Sequence, residues 1–103
     1  MTKITYDAEN YTLEMDGHAG AGAPGQDIVC AAETILMRAL VAAVMDEQSK
    51  LCPSVRQRSG YAKVQCAPTP RAKTMCKAMM QTIFMGYELL AQHYPEHVKV
   101  YTA

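Results

Sequence analysis

Residues 11–44 carry the sequence YTLEMDGHAGAGAPGQDIVCAAETILMRALVAAV, in which the spacing of the apolar side chains changes once. Apolar and polar residues alternate from Tyr11 to Asp16, which predicts a half-buried strand that ends at Gly17. From Ile28 onward the apolar positions recur at intervals of three and four residues, which predicts one face of an amphipathic helix. That predicted face comprises Ile28, Ala31, Ala32, Ile35, Leu36, Ala39, Leu40, Ala43 and Val44.

The segment that joins this strand to this helix has almost no side chains. It runs from Ala19 to Gln26 and contains Gly20, Gly22 and Gly25 together with three alanines and one proline. Most strand-to-helix loops have about 2–6 residues, and glycine gives the backbone unusual freedom. We therefore predict that this segment is a flexible loop that acts as a lid.

A histidine and a cysteine stand at the two ends of the loop. Asp27 is the predicted N-cap of the helix, so Cys30 falls in the first turn. Unpaired backbone N–H groups and the helix dipole favour a thiolate there, and the thiolate is the nucleophilic form of cysteine. His18, at the end of the strand, could act as its base. The residues alone also leave open that Cys30 is a small buried side chain and that His18 only caps or packs.

Two details of this pair stay open in the sequence. Asp27 either orients the imidazole as the third member of a triad or only caps the helix, a contribution of about 1 kcal/mol. If the alternation of the strand continued to His18, this residue would fall on the same face as the polar residues, away from the core. A bulge or bend at Gly17 would re-aim it.

Shorter patterns predict the other elements. Strands are predicted over residues 3–6, 54–58, 61–66 and 98–101, and a second helix over residues 71–93. Each helix has an apolar stripe to bury, which favours an α+β fold in which two helices pack as a second layer on a mostly antiparallel sheet. At 103 residues the chain is long enough for one domain, predicted to span residues 1–103, and too short for two.

Composition excludes several classes of function. Ten basic and ten acidic residues cancel, so no overall field attracts nucleic acid or an anionic membrane. The chain shows neither a hydrophobic signal region at its start nor an unbroken apolar run of about 18 residues, so we expect no membrane contact and a cytoplasmic protein.

The four cysteines are expected to be free thiols, because a reducing cytosol disfavours disulfides. Zinc is a weak alternative. The sequence has no Cys-x-x-Cys pair, and Pro95 breaks the turn that would align His93 with His97. No metal or other cofactor is predicted.

The opening stretch resembles the signature of the ribosomal-processing cysteine proteases of the Prp family. The residues that carry the resemblance are Gly17-His18-Ala19-Gly20, Gly25, Asp27-Ile28-Val29-Cys30-Ala31-Ala32 and, near the C-terminus, Tyr94-Pro95 with Val98-Lys99-Val100. The order of the predicted elements also fits, so the resemblance covers essentially the whole chain.

The resemblance implies that His18 and Cys30 form a catalytic dyad, supported by Asp27. It implies that the substrate is the N-terminal extension of a large-subunit ribosomal protein, that phage-encoded relatives process capsid or scaffold proteins, and that the protein is a homodimer. This chain has Ala21 where the family commonly has an aromatic residue, and Thr34 where it commonly has serine. Thr34 keeps a hydroxyl one turn from Cys30. The alternative is a non-catalytic ribosome-assembly or peptide-binding module that has kept the pocket.

Overall fold

The computed structural model describes residues 1–23 and 26–103 and contains a five-stranded sheet. Its strands are β1 (Thr2–Asp7), β2 (Thr12–Gly17), β3 (Ser54–Arg58), β4 (Tyr61–Gln65) and β5 (Val98–Thr102). They lie in the order β3-β4-β2-β1-β5. The β1–β2, β2–β4 and β3–β4 pairs are antiparallel, and β1–β5 is parallel. The predicted mostly antiparallel sheet is confirmed.

Two long helices form the second layer, as expected for this α+β fold. They are α1 (Ile28–Asp46) and α3 (Lys73–His93), with a short α2 (Gln48–Leu51) after α1 and a single 3-10 turn (Pro70–Ala72) before α3. The sheet and both long helices share one core, where the rings of Tyr6 and Phe84 lie 5.2 Å apart between centroids. The largest fully buried side chains include Ile4, Leu13, Met37, Leu40, Met80 and Tyr87.

Helix α1 buries only part of the predicted face. Ile28, Ala31, Ile35 and Ala39 are exposed. The buried positions are Val29, Glu33, Met37, Leu40 and Val44. The prediction was right for Leu40 and Val44 and wrong for the four exposed positions, because α1 is apolar on nearly every side and more than one face satisfies the spacing of three and four residues.

In the turn between β1 and β2, Tyr11 takes the left-handed conformation, with φ 49°. The carboxylate of Asp7 accepts hydrogen bonds from the backbone N–H and the side-chain amide of Asn10, at 3.2 and 2.7 Å. These bonds hold Asn10 within the turn, so the reversal of the chain falls on the next residue.

Helix α1 is long and apolar enough to cross a membrane when only length and composition are considered. It has 19 residues, and its 18-residue apolar window, of which 28% is buried in the fold, has a mean hydropathy of 2.0. The core helix of a water-soluble protein passes the same test. Glu33 and Arg38 interrupt its apolar sequence, and its buried face packs in the core with α3.

Candidate active site

Gly17 bends the chain at the end of β2. Its φ is +106°, and a Cβ at this position would lie 2.4 Å from the carbonyl oxygen of Met1, so only glycine fits. The Gly17 N–H donates to the carbonyl of Gly60 at 2.8 Å, which ties this bend to the β3–β4 turn. The next residue, His18, is exposed and lies against that turn: a Cβ on Gly60 would be 2.7 Å from His18 Nε2.

Cys30 lies in the first turn of α1, where its side chain is half-buried. Asp27 is the N-cap of this helix. One of its carboxylate oxygens accepts the Cys30 N–H at 2.9 Å, and the other accepts the Ala21 N–H at 3.0 Å. These hydrogen bonds, that of Cys30 first, lower the pKa of Asp27, so this carboxylate stays charged. Asp27 therefore joins the glycine-rich loop to the helix that carries Cys30.

Thr34 lies one turn after Cys30 on the same side of α1. Its hydroxyl donates to the Cys30 carbonyl at 2.8 Å. This bond fixes the rotamer of Thr34, whose side chain lines the same space as Cys30.

Two adjoining cavities meet at the predicted pair. The first, of about 400 Å³, extends toward the β3–β4 turn and is also lined by Glu33 and Tyr61. The second, of about 660 Å³, extends under the glycine-rich loop and is also lined by Ala31 and Ile35. The two cavities share His18, Cys30, Thr34 and Arg38. Such volumes suit a ligand of several residues, and a peptide that occupied both cavities would cross the cysteine and the histidine.

The predicted lid is exposed at two of its glycines but anchored at its first residue. Gly20 and Gly22 line the second cavity and are exposed, whereas Gly25 lies outside the described residues. Ala19 is buried, and its carbonyl oxygen lies 2.9 Å from Nδ1 of His97. The first residue of the loop is therefore anchored, and a moving segment would begin after it.

Several residues of the site have no signal in the sequence. Arg58, Gly60 and Tyr61 reach it from the β3–β4 hairpin, and His97 supports it from the segment before β5. These contacts depend on the order of the strands, which local patterns do not specify. Glu33 did carry a signal, since it is a charged residue within an apolar helix.

One family model matches nearly the whole chain, and several solved structures share its fold. The profile of the family described as cysteine protease Prp matches residues 1–99. The crystal structure of the S. aureus ribosomal processing protease Prp with a covalently linked product peptide is similar at a TM-score of 0.86 and 21% identity, and its complex with a substrate peptide at 0.78 and 19%. Both chains are covered completely in each of these comparisons.

A protein from Streptococcus mutans is similar at a TM-score of 0.69 and 24% identity, over 98% of this chain and 90% of that one. Curated protein sequences give no match. At these identities the solved structures show a shared fold, while the family profile spans nearly the whole sequence. The chain belongs to the Prp family of cysteine proteases.

Proposed function

We propose that this protein is a cytoplasmic endopeptidase that removes the N-terminal extension of a large-subunit ribosomal protein, with Cys30 as nucleophile and His18 as base. The observation that carries the proposal is that both residues line both of the adjoining cavities. The choice of substrate rests on the similar S. aureus protease, which is a ribosomal processing enzyme crystallised with substrate and product peptides.

The reaction proceeds through an acyl-enzyme. His18 takes the proton of the Cys30 thiol, and the sulfur attacks the scissile carbonyl carbon. The tetrahedral intermediate collapses to a thioester as His18 returns the proton to the leaving amine. Water, deprotonated by His18, then hydrolyses the thioester and restores the thiol.

Backbone N–H groups near Cys30 stabilise the oxyanion in this proposal. The N–H groups of Cys30 and Ala21 already donate to Asp27, so the donors are other N–H groups of the loop and the first turn of α1. Asp27 acts as a cap and loop anchor, since both of its oxygens are used by backbone amides. Thr34 contributes to the wall of the cleft.

The direct test is to incubate the purified protein with the N-terminally extended ribosomal protein from the same source. Mass spectrometry of the products is expected to show one new N-terminus and the released peptide. A substrate that stays intact while the protease is folded would contradict the proposed function.

The glycine-rich loop is proposed to close over bound peptide. Gly20, Gly22 and Ala23 are exposed, so their amides are expected to exchange hydrogen rapidly in the free protein. Adding peptide to the Cys30→Ala protein should slow this exchange. Protection comparable to that of β2 without peptide would show a fixed wall instead of a lid.

The homodimer stays a proposal, and the structure suggests which surface would form it. A stripe of exposed apolar side chains runs along the outer face of α1, and α3 exposes Met85 and Leu89. The α1 stripe comprises Ile28, Ala39, Ala42 and Met45, together with Ala31 and Ile35, which also line the second cavity. Continuous exposed apolar surface of this kind is typical of an interface.

We expect light scattering to give a dimer at micromolar concentration for the wild-type protein. Ala42→Glu places an unpaired charge in the stripe away from the cleft and should raise the dimer dissociation constant by at least about tenfold. Ser49→Glu adds the same charge on exposed α2 and serves as the matched control. A monomeric wild-type protein would contradict the proposal.

A further inference from the structure

We propose that Glu33 is a positioning residue, whose buried carboxyl holds the Cys30 turn of α1 against the strand end that carries His18. The proposal rests on the assignment of His18 and Cys30 as the reacting pair. It gives a role to Glu33, the one buried charged side chain among the described residues, at 2% exposure.

Glu33 joins α1 to β1. It lies three residues after Cys30, and its Oε2 accepts a hydrogen bond of 3.0 Å from the hydroxyl of Thr2, which is also fully buried. The backbone of Glu33 is held from the other side, because the hydroxyl of Tyr87 on α3 donates to its carbonyl at 2.8 Å. The turn of α1 below Cys30 is therefore fixed between β1 and α3.

Thr2 continues this connection to His18. In the β1–β2 ladder Thr2 stands opposite Gly17, the residue before His18. The amino group of Met1 donates to the carbonyl of His18. A change in the Glu33–Thr2 bond would therefore alter the position of Cys30 relative to His18.

The second carboxyl oxygen of Glu33 makes the residue sensitive to pH. Oε1 is buried and has no hydrogen-bond partner among the described residues, so ionisation leaves a charged oxygen unpaired. Burial raises the pKa of Glu33 to about 7, and the Asp27 charge adds to this, whereas the Thr2 hydroxyl and the Met1 amino group oppose it. Glu33 lines the first cavity, whose other titratable or charged side chains are His18, Cys30, Arg38, Arg58 and Tyr61. Tyr87 faces Glu33 from α3.

As pH rises through 7, Glu33 ionises and places a negative charge one helical turn from Cys30, whose sulfur must itself become negative to attack. Ionisation of Glu33 also lowers the stability of the fold. The carboxyl keeps its proton up to about pH 7 in the folded protein but loses it near pH 4.5 in the unfolded chain, so the free energy of unfolding falls as pH rises from about 4.5 to about 7.

The test compares Glu33→Gln with Glu33→Ala. Glutamine keeps an oxygen that can accept the hydrogen bond from Thr2, so cleavage by Glu33→Gln at pH 6.5 should stay within about threefold of wild type. Because glutamine cannot ionise, the activity of Glu33→Gln above pH 7 should fall less than that of wild type. Alanine removes the link to Thr2, so kcat should fall by about 10–100-fold with little change in KM. Thr2→Val should show a similar loss, and the double variant should lose no more than either single one.

A second readout does not depend on cleavage. The rate at which iodoacetamide alkylates Cys30 is measured from pH 5.5 to 9, with exposed Cys52 in the same sample as the internal control. Cys66 and Cys76 are buried, and burial raises the pKa of both thiols, that of Cys66 to about 12, so neither should interfere.

As pH rises through 7, the Cys30 rate in Glu33→Gln should increase relative to the Cys30 rate in wild type, while the same ratio for Cys52 stays near one. Identical pH profiles for Cys30 alkylation in wild type and Glu33→Gln, or unchanged kcat in Thr2→Val, would overturn the positioning role. If Glu33→Ala fails to fold, these two variants decide the matter. A protein that keeps the alkylation profile but cleaves no ribosomal substrate would contradict the proposed function alone.

Discussion

Replacing Cys30 with alanine is expected to reduce cleavage of the extended ribosomal protein by at least about 10³-fold. The acyl-enzyme cannot form without the sulfur, and nothing else in the cleft replaces it as a nucleophile in the proposed reaction. His18→Ala should cause a loss of similar order, because the thiol and its base act as a unit. The double variant should therefore be little worse than either single one.

These variants also separate catalysis from binding. Cys30→Ala keeps both cavities and should still bind the peptide, which isothermal titration calorimetry can measure. Cys52→Ala is the matched control, since Cys52 is exposed and does not line the cleft, and it should retain wild-type turnover. Cleavage at the wild-type rate by Cys30→Ala would refute the mechanism. Binding without cleavage by every form, wild type included, would favour the non-catalytic assembly module.

The fold could be predicted from the sequence where local patterns determine the structure. The alternation over residues 11–16 and the helical spacing after Ile28 both correspond to observed elements, β2 and α1. The family resemblance is confirmed over residues 1–99. The change from strand to helix is a local property, which explains why it could be read directly from the residues.

The sequence was less informative about how the elements meet. It identified only part of the buried face of α1, because apolar residues lie on nearly all sides of that helix. It did not place Gly60 beside His18, because this contact requires β4 to pair with β2. It did not predict that Glu33 is buried against Thr2 of β1 and Tyr87 of α3, and this burial runs against its charge, which is why we assign it a role in the site.

The contact between Gly60 and His18 leads to the second large effect, in Gly60→Ala. Gly60 has φ +72°, where alanine costs about 1 kcal/mol of stability relative to glycine. The new Cβ would also lie 2.7 Å from His18 Nε2 and 3.2 Å from two ring carbons. The imidazole is the end of a side chain and can move more easily than the backbone. We therefore expect the His18 imidazole to be displaced from its present position in the cavity that it shares with Cys30.

A displacement of about 1 Å between reacting groups can cost about 10²-fold in rate, so Gly60→Ala should lower kcat by roughly that factor. The free energy of unfolding, measured with urea, should fall by only about 1–2 kcal/mol. The control is the same substitution in the His18→Ala background, where the collision is absent and only the backbone cost remains. The stability loss from Gly60→Ala should therefore be smaller there than in wild type. Equal losses in the two backgrounds, together with full activity of Gly60→Ala, would show that the β3–β4 turn does not hold His18 in place.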